Sequence, residues 1–487
     1  MDSSSFNRHF FGSVASRECI NELELFPCKS LSIIVAVNLG ALCVGLAIGW
    51  PGPAFAYLYG DEHTQLDYID ETWVESAINA GASLGSIASI FVTDAYGRRP
   101  AFMLSGCLQI AFWIGLCVSG HINRIWIASS AFVAGLGVGV YAVAAVLYVA
   151  EIASTENRGL VGGAIMLSGY LGVFLMNLLG YLVDVAIVLD LMVAAPLLFC
   201  ASVCFLMLES PFYLFQTGMV LEAKIALKNL RNRRSVLEIE PEYQSMVVFF
   251  NSSLAKPAGR LLLESLCPLR EELRSPLALL VVPLLCVSQM LGVVAVSSYA
   301  LLLLEQVLEQ PQAGKVVASL VDVLSIVLCL LAIQRFGRKP LLTFSIVGSG
   351  LCCLVLSVYY LASEERCLTN ALPKESKILP ISVMCLYYAI YSLGLTPVLP
   401  IVTGEIFPSQ AKSAAVGICT SLVYLVAFCM QRSYEALNQR ASSCLAFASF
   451  SLLGSIGLPF AVTLLPETKG KSLLQIQNEL GNIMMNY

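Results

Sequence analysis

Charged residues are scarce in this chain of 487 residues. Asp, Glu, Lys and Arg make up 13% of it, whereas apolar residues make up 57%. Soluble domains carry about a quarter charged residues, so a chain this poor in charge cannot cover a folded surface in water and needs lipid as its main solvent. The same composition excludes a disordered chain, and the net charge of −5 argues against nucleic acid as a partner.

Histidine is almost absent, and the cysteines form no metal-binding pattern. Only His9, His63 and His121 occur, and no two cysteines are separated by two residues. Most of the 17 cysteines lie in apolar runs, where Cys acts as a small apolar side chain. We therefore expect no disulfide scaffold, no metal and no cofactor. Catalytic motifs such as HExxH and GxxxxGK[ST] are missing as well, so we expect a protein that is not an enzyme.

Long apolar runs dominate the sequence. A helix needs about 20 mostly apolar residues to cross a bilayer, and twelve runs qualify. The fourth run contains Gly135, Gly137 and Gly139, which we expect to form a helix-packing face. The runs are 31–55, 73–93, 100–119, 125–149, 160–183, 187–208, 277–304, 314–333, 340–362, 378–402, 413–430 and 444–465.

These runs divide the chain into five segments. We expect a cytoplasmic N-terminus, a six-helix bundle, a cytoplasmic helical linker, a second six-helix bundle and a cytoplasmic tail, at 1–30, 31–208, 209–275, 276–465 and 466–487. With this orientation, 21 of the 28 Lys and Arg residues lie on the cytoplasmic side. Because cytoplasmic loops are enriched in Lys and Arg, both termini are predicted to face the cytoplasm.

Three charged motifs recur in the two halves of the chain, each after the equivalent span. A glycine precedes two cations, a glutamate lies seven residues before a cation, and a second glutamate follows the last span of the half. The matching residues are Gly97 and Gly337, 240 residues apart, Glu151 and Glu405, 254 apart, and Glu209 and Glu467, 258 apart. The halves are therefore predicted to be duplicated six-helix units, as in many secondary transporters.

The charges of these motifs predict salt bridges that hold the cytoplasmic side closed and break when the halves rock apart. At a wet interface each pair should contribute about 1 kcal/mol or less, which suits a switch between two states of similar free energy. Simple anchoring of helix ends would explain the cations but not the matched glutamates. The expected gate residues are Asp94, Gly97, Arg98, Arg99, Glu151, Arg158, Glu209, Arg335, Gly337, Arg338, Lys339, Glu405, Lys412 and Glu467.

The motifs DAYGRRP, YVAEIASTENRG, LESPFYL, QRFGRKP, GEIFPSQAKS and PETKG resemble the sugar porter family of the major facilitator superfamily. The Gly-Trp-Pro-Gly-Pro run at 49–53 is similar to arthropod facilitated trehalose transporter-like proteins. The resemblance implies an all-α membrane protein with 12 transmembrane helices in two pseudo-symmetric bundles. It further implies alternating-access, facilitative transport of a hexose or of a disaccharide such as trehalose across the cell membrane.

The implied partners are a small-molecule solute and the lipid bilayer. The oligomeric state stays open, although one chain would be sufficient for transport. Proton-driven members of the family tend to carry an Asp in the first span, where this sequence has Ala47. That substitution favours downhill facilitation, and Asp322 leaves a residual possibility of proton coupling.

The resemblance also implies sugar-binding residues in the second half. Gln289 matches the family, Asp322 stands where the family often places an Asn, and Thr396 precedes the first proline of the tenth span. Ser288 keeps a hydroxyl at a family Gln position, and Tyr299 and Tyr424 lie nearby.

Other positions of the sugar site depart from the family, with Pro400, Val294, Met166 and Val423 in place of polar or aromatic residues. Two alternatives therefore remain: a transporter of a less polar or non-sugar solute, and a transport-silent sensor or scaffold.

Overall fold

The computed structural model of the protein describes residues 28–58, 68–118, 124–153, 157–231, 311–364, 378–407, 412–440 and 443–459, with isolated positions in 239–247 and 462–479. Within the main ranges the chain forms helices and short connecting turns, so the all-α prediction is confirmed for this part. The seventh predicted span, 277–304, lies outside the described residues.

The first half of the described chain contains ten helices. They are α1 (Cys28–Gly49), α2 (Pro51–Leu58), α3 (Tyr68–Ala95), α4 (Arg98–Val118), α5 (Arg124–Ile152), α6 (Arg158–Leu182), α7 (Val185–Leu191), α8 (Ala194–Leu206), α9 (Pro211–Gln216) and α10 (Val220–Leu230). Together α1 and α2 form one apolar span, as do α7 and α8. The helices α9 and α10 begin the predicted linker.

Five helices of the second half are described: α11 (Pro311–Phe336), α12 (Arg338–Glu364), α13 (Ile378–Ile406), α14 (Lys412–Arg440) and α15 (Ser443–Pro459). Across the described part of both halves, ten segments are long and apolar enough to cross a membrane, and α15 is a shorter apolar helix. The ten correspond to predicted spans one to six and eight to eleven, and α15 begins the twelfth.

Glycines allow α3 and α5 to approach each other closely. A Cβ atom would lie 2.1 Å from the Ile78 carbonyl oxygen if added at Gly135, and 2.1 Å from the Ala82 carbonyl oxygen if added at Gly139. Both distances are shorter than any real contact, so only glycine permits this backbone packing. The predicted packing face is therefore present at these two positions.

The two halves meet most extensively along two pairs of helices. The first pair is α3 with α14, and the second is α6 with α11. Small residues bring these pairs together: a Cβ at Gly417 would lie 2.3 Å from the Ile90 side chain, and one at Gly163 would lie 2.4 Å from the Leu330 side chain. These glycines lie near one end of the bundle, which holds Arg98, Arg158, Arg338 and Lys412 and is called the basic end below.

Candidate functional site

A glycine turn precedes α4 at the basic end, and a distant glutamate caps the helix that follows. Gly97 has a φ of +102°, a region that favours glycine because a side chain there is strained. The Glu209 carboxylate accepts hydrogen bonds from the backbone N–H of Arg98 at 2.9 Å and of Arg99 at 3.1 Å. The first N–H groups of a helix lack hydrogen-bond acceptors within the helix. The Glu209 carboxylate is the acceptor for two of them.

The second half repeats this arrangement at α12. Gly337 has a φ of +89°, and the Glu467 carboxylate accepts from the backbone N–H of Arg338 at 3.0 Å and of Lys339 at 3.1 Å. In both halves, therefore, a glycine with positive φ is followed by two cations whose backbone N–H groups bind a distant glutamate, as the sequence repeat predicts.

The structure differs from the expectation for Glu209 and Glu467 themselves. Among the described residues they form no side-chain ion pair and instead bind helix N-termini through backbone N–H groups. Such a site combines unpaired donors with the positive end of the helix dipole, so it attracts a carboxylate. Burial raises the pKa of the Glu209 carboxyl, and the backbone hydrogen bonds and the Arg98 charge oppose that shift.

Each half contains one buried ion pair between a motif arginine and a motif glutamate. Arg98 contacts Glu151 at 2.6 Å, and Arg338 contacts Glu405 at 3.2 Å. All four side chains are at most 6% exposed. The expectation of weak pairs at a wet interface is therefore wrong in one respect: these pairs are desolvated, and removing one partner of a buried pair costs roughly 3–5 kcal/mol.

The remaining motif residues join the two halves at the basic end. Arg158 of the first half lies 3.8 Å from Glu405 of the second, so Glu405 is shared between two arginines. The equivalent residues of the repeat are also close: buried Lys412 of the second half is attracted electrostatically by Glu151 of the first. Ser413 also donates a hydrogen bond to Asp94 across the same interface. These contacts hold the halves together at the basic end.

Three other predicted gate cations lie outside this buried layer. The Arg99 guanidinium donates to the Cys204 carbonyl at 2.6 Å. The Arg335 carbonyl accepts from the Lys469 ammonium at 3.3 Å, and Lys339 contributes its backbone N–H to Glu467. Among the described residues these three side chains form no ion pair, so their contribution to holding the halves together is smaller than that of Arg158.

Polar side chains from both halves also meet midway along the helices. The Ser392 hydroxyl donates to the Asp322 carboxylate at 2.5 Å. The hydroxyl of Tyr170 in α6 lies beside Thr396 and within electrostatic range of Asp322 and Tyr424. The Thr396 hydroxyl oxygen is buried, and the Tyr170 hydroxyl is its hydrogen-bonding neighbour. We call Tyr170, Asp322, Ser392, Thr396 and Tyr424 the midplane cluster.

The positions of these residues in their helices place the cluster at one depth. Tyr170 follows the start of α6 by 12 residues, and Tyr424 follows the start of α14 by 12. Asp322 precedes the end of α11 by 14 residues, and Thr396 precedes the end of α13 by ten. Each helix end named here is at the basic end, and 12 residues of helix span about 18 Å, which is roughly half the thickness of a bilayer.

The structure brings together three of the six predicted sugar-binding residues, Asp322, Thr396 and Tyr424. The other three, Ser288, Gln289 and Tyr299, lie outside the described residues. Sequence reasoning missed Tyr170 and Ser392. A signal existed for both, because Tyr170 follows Met166 by four residues and Ser392 precedes Thr396 by four, and residues four apart share a helix face.

A second set of polar contacts joins α3 and α14 away from the basic end. Gln431 donates to the Glu75 carboxylate at 2.8 Å and accepts from Asn79 at 3.3 Å. The Arg432 guanidinium lies 4.4 Å from the centre of the Trp73 ring. The halves therefore contact each other on both sides of the midplane cluster.

Comparison with known proteins gives consistent matches over most of the chain. The sequence model of the family described as "Sugar (and other) transporter" matches residues 29–480. The facilitated glucose transporter member 8 of solute carrier family 2 from Mus musculus is 26% identical over 464 residues, covering 91% of this chain and 92% of its own length. The facilitated trehalose transporter Tret1 of Drosophila grimshawi is 25% identical over 451 residues, covering 92% of this chain and 47% of its own.

Solved structures show the same architecture. The proton:xylose symporter XylE of the major facilitator superfamily superposes with a TM-score of 0.75 at 18% identity, covering 93% of this chain and 99% of that one. A structural similarity at this level of sequence identity shows a shared fold, and it confirms the predicted major facilitator fold.

Proposed function

The chain belongs to the sugar (and other) transporter family, and from that premise we propose that this multi-pass membrane protein transports a sugar by facilitative, alternating access. The proposed solutes are a hexose or a disaccharide such as trehalose, because relatives named for glucose and for trehalose transport match nearly the whole chain. The proposed moving units are the two six-helix bundles at 31–208 and 276–465.

One observation carries the mechanism: Glu405 is shared between Arg338 of its own half and Arg158 of the other. The pair inside the second half and the pair between halves use the same carboxylate, so separation of the halves breaks one pair while the other keeps the carboxylate neutralised. That exchange lowers the free-energy difference between a closed and an open basic end, which alternating access needs.

The midplane cluster is the proposed solute site. It combines hydroxyl groups of Tyr170 and Thr396 with the Asp322 carboxylate, at the depth where the halves meet. Buried hydroxyls of a sugar need hydrogen-bond partners, and these groups provide both donors and acceptors. Opening at the basic end, followed by closure there and opening at the other end, would expose this site to each side in turn.

The orientation of the protein is part of the same proposal. We propose that the basic end, and with it both termini, faces the cytoplasm, and that the protein resides in the plasma membrane. The excess of Lys and Arg in segments at that end supports the orientation.

The decisive experiment is uptake by the full chain reconstituted in proteoliposomes. We expect saturable, downhill uptake of at least one of radiolabelled trehalose, glucose and fructose. Because buried Ala47 stands where proton-driven members of the family tend to carry an Asp, dissipating the proton gradient with the membrane potential clamped should leave the initial rate unchanged. Collapse of uptake would contradict facilitation. Uptake of a less polar solute in place of every sugar, or no transport at all, would favour one of the two alternatives.

Removal of the Tyr170 hydroxyl tests the solute site. A Tyr170→Phe variant should raise the KM for the transported sugar roughly 3- to 10-fold, because a neutral hydrogen bond contributes about 0.5–1.5 kcal/mol. The matched control is Tyr141→Phe, whose hydroxyl donates to the Val37 carbonyl within the first half. That control should leave KM unchanged. Equal KM values for the two variants and the wild type would mean that the Tyr170 hydroxyl does not bind the solute.

A further inference from the structure

Asp322 is an acidic residue at mid-depth, and no cation contacts its side chain among the described residues. The nearest cations of its own helix are Lys315, seven residues before, and Arg335, 13 residues after, about 10 and 20 Å away along the axis. No ion pair of Asp322 is formed within the described part of the chain, where its carboxylate accepts a hydrogen bond from the neutral Ser392 hydroxyl.

The sequence places no cation in two further spans predicted to line the centre of the bundle. The predicted first and seventh spans, 31–55 and 277–304, contain no Lys, Arg or His. The groups that face Asp322 from α6 and α13 are Tyr170, Tyr391 and Ser392, all of which are neutral hydrogen-bond donors. Hydroxyl donors stabilise a carboxylate, but they do not cancel its charge.

Asp322 is partly buried, and an unpaired carboxylate taken out of water is unfavourable. The hydroxyls of a neutral sugar add more donors of the kind the site already has. An ammonium group both donates hydrogen bonds and supplies the missing charge, and charge-assisted hydrogen bonds are roughly twice as strong as neutral ones. Ionisable residues inside a membrane span commonly mark the path of a solute.

From this arrangement we propose that Asp322 makes the midplane site selective for a solute with a protonated amine, namely an amino sugar over its neutral counterpart. The inference rests on the proposed sugar transport and adds the charge class of the solute. In this assignment the ammonium group binds the Asp322 carboxylate, and the remaining sugar hydroxyls bind the neighbouring hydroxyls of Tyr170 and Thr396.

Competition in proteoliposomes tests the proposal on the wild-type protein. Unlabelled glucosamine, glucose and N-acetylglucosamine are each titrated against uptake of the labelled neutral sugar found to be transported. We expect glucosamine to inhibit at a concentration about tenfold lower than glucose or N-acetylglucosamine, a difference equivalent to about 1.4 kcal/mol. Equal potency of glucosamine and glucose in the wild type overturns the proposal without any variant.

An Asp322→Asn variant assigns the preference to this residue. Asn keeps the size of the side chain and its bond to Ser392, and it removes the charge. We expect the glucosamine-to-glucose preference to fall to about one. The preference is a ratio of two inhibitory concentrations, so a general loss of sugar affinity cancels, and the unfolding midpoint in detergent shows that the variant is folded. The control Asp190→Asn changes an exposed acid outside the cluster and should keep the preference.

The outcomes separate the two proposals. A preference that persists in Asp322→Asn overturns the role of Asp322. Uptake of neutral sugar without a preference for the amine overturns this inference alone and leaves sugar transport intact. Absence of uptake or competition for every sugar, neutral or amino, overturns both.

Discussion

A Glu405→Gln variant is expected to lose at least about 90% of its initial uptake rate, a change that corresponds to about 1.4 kcal/mol. Gln keeps the size of Glu405 but removes the charge that Arg158 and Arg338 share. Both arginines are then left buried and uncompensated, and such a loss costs roughly 3–5 kcal/mol. Much of that penalty falls on the closed basic end, because there the halves exclude water from all three side chains.

The size of the effect follows from population arithmetic. A penalty of about 3 kcal/mol on one conformation shifts the equilibrium between two conformations by more than 100-fold. A transporter that must visit both conformations in every cycle then spends nearly all its time in one of them. Uptake falls even though the midplane cluster is unchanged.

The measurement is the initial rate of labelled sugar uptake per reconstituted protein, together with the unfolding midpoint in detergent. The control Glu240→Gln removes a carboxylate that lies 3.6 Å from Lys224 and is 37% exposed, and it should change the rate less than twofold because exposed pairs contribute little. Loss of uptake with a retained unfolding midpoint supports the gate. Wild-type uptake in Glu405→Gln would mean that the pairs only anchor helix ends.

The duplicated architecture could be predicted from the sequence because its signals are local. Each half must turn sharply between two helices, and Gly97 and Gly337 both have positive φ values at these turns. Each half must also supply a carboxylate to the helix that starts there. Such requirements fix residue types at fixed offsets, so the repeat is visible without any tertiary information.

The partners of Glu209 and the burial of Glu405 could not be predicted in the same way. A sequence shows that cations and acids lie at helix ends, but whether an acid meets a guanidinium or a backbone N–H depends on the angle at which two helices meet. Burial depends on how closely the halves approach. Here glycines such as Gly417 allow that approach, and the pairs become desolvated.

The midplane cluster was partly predicted for a related reason. Asp322 is conspicuous because a charge within an apolar helix is rare. Tyr170 is not, since tyrosine is common in membrane helices, and its position beside Thr396 results from packing between α6 and α13. Contacts between the halves therefore supply the members of the site that the sequence pattern does not single out.

A Gly97→Ala variant is expected to fold poorly or not at all. The added methyl group would occupy a backbone conformation with φ of +102° and lie 2.5 Å from Oε2 of Glu209. Backbone strain of this kind costs about 1–3 kcal/mol. Moving Glu209 away breaks its two hydrogen bonds to the start of α4, and hydrogen bonds to charged groups contribute roughly 1.5–3 kcal/mol each.

Gly218→Ala is the control that separates the two contributions. Gly218 also has a positive φ, +83°, but nothing lies within 4 Å of an added Cβ. Its replacement therefore measures strain alone and should lower stability by about 1–3 kcal/mol. Gly337→Ala should match Gly97→Ala, because its Cβ would lie 2.6 Å from Oε2 of Glu467.

The measurement is the unfolding midpoint in detergent, with the yield of monodisperse protein. We expect the unfolding midpoints of Gly97→Ala and Gly337→Ala to lie well below that of Gly218→Ala. If all three variants are equally destabilised, strain accounts for the whole effect, and the two glutamates contribute little by capping α4 and α12. A larger loss of stability in Gly97→Ala and Gly337→Ala than in Gly218→Ala would instead show that each half depends on close packing of its glycine against its glutamate. At these two turns the carboxylate occupies the space that any other side chain would need.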